Sequence, residues 1–209
     1  MPIFLLSPAN CGGNRARIVM SERATFDLAA RLRGEGGAPL GEVFAFLSGL
    51  YFRGKLAYGR AFASKPDGVD PESNGVFVIT PNAGLRSPDT LVTLDAIRAF
   101  ARVDVSVGNP KYRRPLERSA RALSDEIGDC PVVLLGSIAS PKYVDVLLSI
   151  FGERLLFPQE FVGRGDMSRG GLLLRCVAAR EELTYVPVAG TVRHGVRPPK
   201  LDPATRVRS

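Results

Sequence analysis

The chain has 209 residues, 45% of them hydrophobic, and carries a formal net charge of +7. That length buries a core without covalent staples, and the apolar content excludes disorder over most of the chain. Three widely spaced cysteines (Cys11, Cys130 and Cys176) and the single histidine, His194, exclude a disulfide framework and leave no ligand set for a structural zinc site.

Ile3 to Leu6 is a continuous apolar run closed by Ser7-Pro8, the pattern of a buried parallel strand. Residues 15–33 have helical character and end at the breaker Gly34 to Pro39. A longer helical region covers residues 41–63, with a possible break near Ser48-Gly49, and residues 65–75 form a polar loop. Val76 to Thr80 reads as the second buried strand, and Pro81 to Pro88 as its exit loop. Helices are expected over 89–101 and 115–127, where Leu116, Ala120, Leu123 and Ile127 share a face. Residues 131–135 form the third buried strand, followed by a helix over 141–151 with Pro141 at its start. Residues 154–157 form a fourth strand, 168–179 a helix, and 183–188 a last strand.

Strand, loop and helix in repetition predict an α/β fold: a three-layer αβα sandwich around a mainly parallel sheet of four or five strands. Residues 1–190 would form one domain, and residues 191–209 a basic, mobile tail carrying Arg193, Arg197, Lys200, Arg206 and Arg208. No run of 18 apolar residues occurs, so no membrane span or membrane partner is expected. Met1 to Pro8 lacks the basic start of a signal peptide, so the expected location is the cytoplasm. The dinucleotide fingerprint is absent, and no cofactor or metal is expected. The positive surplus favours a polyanionic partner, nucleic acid first, although a generic basic surface has the same composition.

On a parallel sheet, ligands bind outside the carboxyl ends of the strands, so the residues after each strand carry the functional reading. After the first strand, Asn10, Gly12, Gly13 and Arg15 suit a base or phosphate, or else make a tight turn into a helix. After the second, Asn82 can donate to and accept from a base edge, or else belongs to an Asn-Ala-Gly turn. After the third, Gly136-Ser137 reads as a turn with Ser140 as helix cap. After the fourth, residues 161–171 hold Arg164, Asp166, Ser168, Arg169 and four glycines, more than helix capping alone needs. Tyr51, Arg53 and Lys55 interleave an aromatic with cations, as stacking and phosphate contacts require, or else lie on an amphipathic helix.

In this order the loops resemble those of the uracil-DNA glycosylase superfamily. The resembling features are the polar loop after the first strand, the run from Val132 to Gly136-Ser137, and the proline- and glycine-rich stretch from Phe157-Pro158 to Gly171. The chain is also similar in order to bacterial proteins distantly related to a domain of archaeal deazaguanine-type transfer-RNA modification enzymes, through Asn14-Arg15, Leu50-Tyr51 with Lys55, and Gly84-Leu85 with Pro88. The superfamily's Gly-Gln-Asp-Pro and His-Pro-Ser motifs do not stand here, so the implied substrate is a modified base rather than uracil.

The resemblance implies N-glycosidic hydrolysis through an oxocarbenium-like sugar cation, in the service of DNA repair or phage defence. Asp166 would stabilise that cation or activate water, and Asn10 would orient water or the base. Asn82 would read the base edge, Tyr51 would stack on the extruded base, and Ser168 would contact substrate. Arg164 or Arg169 would stabilise the departing base. Arg15, Arg53 and Lys55 would hold phosphates, of DNA rather than RNA. Two alternatives are a non-catalytic DNA- or nucleotide-binding module and a nucleoside hydrolase or transferase.

Overall fold

The computed structural model describes residues 2–64, 74–139, 141–191, 195, 196, 198 and 199. The expected basic tail, with His194, lies mostly outside the described residues, as do Ser140 and residues 65–73 of the polar loop. In chain order, β1 (Ile3–Leu6), α1 (Asn14–Met20) and α2 (Asp27–Arg33) lead to β2 (Ala38–Pro39), α3 (Leu40–Ser48) and α4 (Leu50–Phe62). Next come β3 (Val76–Thr80), β4 (Gly84–Arg86), β5 (Leu91–Val92), α5 (Leu94–Ala101) and α6 (Pro110–Ile127). The last stretch holds β6 (Val132–Leu135), α7 (Pro141–Phe151), β7 (Leu155–Pro158), α8 (Asp166–Ala179) and β8 (Tyr185–Pro187).

The fold is α/β, around a mixed six-stranded sheet in the order β4-β3-β1-β6-β7-β8. The four inner strands are parallel and the two edge strands antiparallel. β1 lies at the centre, pairing Phe4 with Val76 on one side and Val133 on the other. All four residues of β1 and of β6 are buried, which is why both read as unbroken apolar runs. β2 and β5 form a separate two-stranded antiparallel pair.

The expected sheet of four or five strands gains a sixth, β4, in the segment read as an exit loop. Thr80 Oγ1 donates to the Gly84 carbonyl at 2.8 Å and accepts from Ala83 N at 3.0 Å, folding the chain back on β3. Gly84 sits at φ +70°, and a Cβ there would lie 2.4 Å from the Pro115 carbonyl oxygen, so the hairpin and its packing on α6 both need glycine.

Two predicted helices divide. Residues 15–33 form α1 and α2 around an irregular turn, and residues 41–63 break at Gly49, whose φ is +62°. α6 begins at Pro110, a turn before the expected start at Pro115. The Asn109 side chain accepts from Lys111 N at 3.1 Å, Pro110 occupies the first turn, and buried Tyr112 anchors it. Tertiary burial thereby holds Pro115 inside a helix despite its missing donor.

α4 packs on β1 and α8 packs on α4. Phe4 meets Tyr58 edge-on at 5.7 Å and Tyr185 at 6.1 Å between ring centroids. The Tyr58 and Tyr185 hydroxyls are 2.6 Å apart, which ties α4 to the β8 edge. α4 and α8 cross at two glycines. A Cβ on Gly54 would lie 2.7 Å from the Gly170 carbonyl oxygen, and one on Gly170 would lie 2.8 Å from the Leu50 carbonyl oxygen. Both obstacles are backbone, so the helices must separate to admit even a methyl group. Gly54→Ala and Gly170→Ala should each destabilise the protein by roughly 1–3 kcal/mol, as overpacking does, measured as a lowered urea midpoint at unchanged slope.

Candidate functional site

The carboxyl ends of β1, β3 and β6 open into a cleft of about 880 Å³, lined among others by Ser7, Asn10, Cys11, Tyr51, Lys55, Pro81, Ser137, Tyr143 and Asp166. It lies where ligands bind on parallel sheets and is large enough for a nucleotide-sized group.

Its floor is built around Lys55. The α4–α8 crossing turns this side chain inward, leaving it 2% exposed. Its Nζ donates to the Ser7 carbonyl and to Ser7 Oγ, both at 2.7 Å. The same nitrogen lies 4.5 Å from the Tyr51 ring centroid and 4.8 Å from that of Phe52. Burial pushes the amine from its ordinary 10.5 down to about 7, with Asp166 opposing that shift and Arg169 adding to it. Gly136 supports the other side of Ser7: a Cβ there would come within 2.8 Å of both Ser7 Cβ and the Tyr143 hydroxyl. Tyr143 donates to the Ser137 carbonyl at 3.0 Å, and burial raises its hydroxyl pKa.

The Tyr51 hydroxyl is buried and makes no hydrogen bond of normal geometry. Burial drives its pKa upward, with the Arg169 charge moderating the rise, so it is a proton donor at neutral pH. Cys11 is a protonated thiol, pushed up to about 12 by burial. It is no thiolate nucleophile.

The sequence-selected residues divide into two groups. Asn10, Tyr51, Lys55 and Asp166 line the same cleft, although they come from three separate stretches of chain. Asn10 stands exposed at its rim, with Oδ1 accepting from Gly12 N at 3.0 Å, a bond that fixes the amide plane. Asp166 opens α8, where its charge suits the helix N-terminus. Arg169 lies one turn on with its side chain 10% exposed and pairs with the 68%-exposed Asp166 at 3.3 Å. Arg169 also donates from Nε and Nη2 to the Phe161 carbonyl at 3.2 and 3.0 Å, so it braces the 159–161 turn from behind the floor.

The others stand apart from the cleft lining. Arg164 donates to the Glu160 carbonyl at 2.9 Å and to Ser168 Oγ at 3.3 Å, tying that turn to α8. Asn82 occupies the β3–β4 turn, where Pro81 lines the cleft instead. Arg15 donates to the Phe46 carbonyl at 3.1 Å, and Arg53 is exposed on α4. Lys55, read as a surface phosphate cation beside Arg53, instead projects inward to the buried floor of the cleft because only two positions, about 200° of helix, separate them.

Sequence reasoning passed over Ser7, Tyr143, Arg102 and Lys142. Ser7 carried a usable signal, a hydroxyl immediately after a buried strand. Tyr143 matches a core position on α7, and only the fold aims its hydroxyl at Ser7. Arg102 and Lys142 are exposed and line the cleft mouth.

Among the described residues no group of three or more His, Cys, Asp or Glu could hold a metal ion, and no helix is long and apolar enough to cross a membrane. No protein-family model, curated protein or solved structure matches the chain.

The depressed Lys55 pKa links stability to pH. Between about 7 and 10.5 the unfolded chain holds a proton on Lys55 that the folded chain has released. Stability from this group therefore rises with pH across that window, by at most about 1.4 kcal/mol per pH unit. Lys55→Met should remove that slope, which urea midpoints of both proteins at pH 6.5, 7.5, 8.5 and 9.5 will measure.

Proposed function

We propose that the chain is a three-layer αβα enzyme that hydrolyses N-glycosidic bonds in nucleic acid, DNA before RNA, releasing a modified base. The observation that carries this reading is the convergence of Asp166 and Asn10, 156 positions apart in sequence, on one cleft. The exposed carboxylate of Asp166 supplies what an oxocarbenium-like sugar needs, either a negative charge beside the cation or a base for the attacking water. The Asn10 amide orients that water or the base. Lys55 covers the Tyr51 ring, so Tyr51 walls the cleft rather than offering an open stacking face, and its buried hydroxyl beside Arg169 stays protonated. Arg102 and Lys142 at the mouth, with the net positive charge, suit flanking phosphates.

The cleft volume supports the reading too. At about 880 Å³ it admits a base with its sugar but not a duplex, so the target nucleotide must leave the stack.

The test is incubation of the purified protein with DNA carrying natural and modified bases, followed by alkaline cleavage at abasic sites. Strand cleavage is expected with at least one modified base, and Asp166→Asn should reduce it about 100-fold or more, the usual worth of a general base. Salt-sensitive binding without cleavage would instead indicate a non-catalytic binding module. Activity confined to free nucleosides would indicate a nucleoside hydrolase or transferase.

A further inference from the structure

Lys55 is more than the cleft's floor. Both hydrogen-bond partners of its nitrogen are atoms of Ser7, at 2.7 Å each, and neither is a carboxylate. A neutral amine has two N–H bonds and one lone pair. With both N–H bonds directed at Ser7, the lone pair points away from it, and Lys55 lines the cleft. The Tyr51 and Phe52 rings flank the nitrogen at 4.5 and 4.8 Å, an apolar setting that keeps a lysine nucleophilic. The Tyr51 hydroxyl, buried beside the Arg169 side chain, stays protonated, so the ring over the amine remains a neutral wall. The cation inventory is consistent with a requirement for an amine here. The sequence has 23 arginines and 5 lysines, and the fully buried cation on α4 is a lysine, the one of the two that can lose its proton.

We propose that Lys55 is a carbonyl-reactive amine, which forms an imine with the C1′ aldehyde of an abasic sugar seated in the cleft. The choice of sugar rests on the base-excision reading; the reactivity of the amine rests on its own surroundings. Excision leaves a C1′ hemiacetal in equilibrium with the open-chain aldehyde. The Lys55 nitrogen bonds to C1′ while the carbonyl π electrons move to oxygen. That oxygen then departs as water with the two hydrogens of the amine, leaving a C1′=N bond. Ser7 acts as a positioning residue: its carbonyl and hydroxyl fix the direction of the lone pair, and the hydroxyl can pass one proton to the leaving oxygen.

The test uses the full chain and a duplex carrying a preformed abasic site, with cyanoborohydride to reduce any imine to a stable secondary amine. A one-to-one covalent adduct is expected on a denaturing gel, with the sugar mapped by mass spectrometry to Lys55. Lys55→Arg should reduce the adduct at least 100-fold. The rate of trapping should rise with pH through about 7, and Ser7→Ala should displace that midpoint, which loss of packing alone would not do. Mapping on the unmodified protein decides the matter even where a Lys55 variant fails to fold. Absence of an adduct, or an adduct only at an amine other than Lys55, overturns the inference. Base excision from intact DNA without trapping overturns the imine and leaves excision standing. Trapping at Lys55 without excision from any intact DNA upholds the imine and overturns the base-excision reading.

Discussion

The site depends on one steric constraint, the backbone contact between Gly54 and Gly170. With no side chain on either glycine, α4 and α8 approach closely enough that a single Cβ would overlap a carbonyl oxygen. That approach carries Tyr51 and Lys55, on α4, against Asp166 and Arg169, at the start of α8. It also presses α4 on β1, so that Lys55 reaches Ser7 at the carboxyl end of the central strand. A bulkier residue at either glycine would widen the crossing and open the floor of the cleft to water.

The electrostatic consequences follow from that geometry. Enclosing an amine between two aromatic rings and a strand end removes its hydration, and its two hydrogen bonds to Ser7 replace only part of it. Asp166 offsets only part of that loss, since its side chain is 68% exposed and pairs with Arg169. The neutral form of Lys55 thereby becomes accessible near neutral pH, next to a tyrosine hydroxyl that stays protonated. Burial of an unpaired amine costs stability, and such a cost is characteristic of functional positions.

The sheet was largely legible from sequence because its inner strands are buried on both faces. β1, β3, β6, β7 and β8 all fall within two residues of their expected places. β4 was not, because three residues among Pro, Asn and Gly carry no strand periodicity, and the hairpin is closed by the Thr80 side chain and the packing of Gly84 on α6. The site was legible in part. The rule that function gathers after strands selected Asn10 and Asp166, and interleaved aromatics and cations selected Tyr51 and Lys55. The role of Lys55 was not legible, since a lysine one turn from a tyrosine on a polar helix reads as solvated until the facing helix is known to carry a glycine. Asn82, Arg164 and Ser168 met the compositional criteria, but none of them lines the cleft: Asn82 stands in the β3–β4 turn, and Arg164 bonds Ser168 at the start of α8.

The claim at the centre of this account is that the fold holds the Lys55 amine neutral near physiological pH. Its most direct measurement is an NMR titration of the lysine side-chain Cε and Nζ resonances from pH 5 to 11, with the Lys55 signal assigned by its loss in Lys55→Arg. The account predicts a midpoint of about 7 for Lys55, against the ordinary 10.5. A Lys55 midpoint near 10.5 in the folded protein would contradict it, because the amine would then be charged, and neither the depressed basicity nor the nucleophilic lone pair would exist.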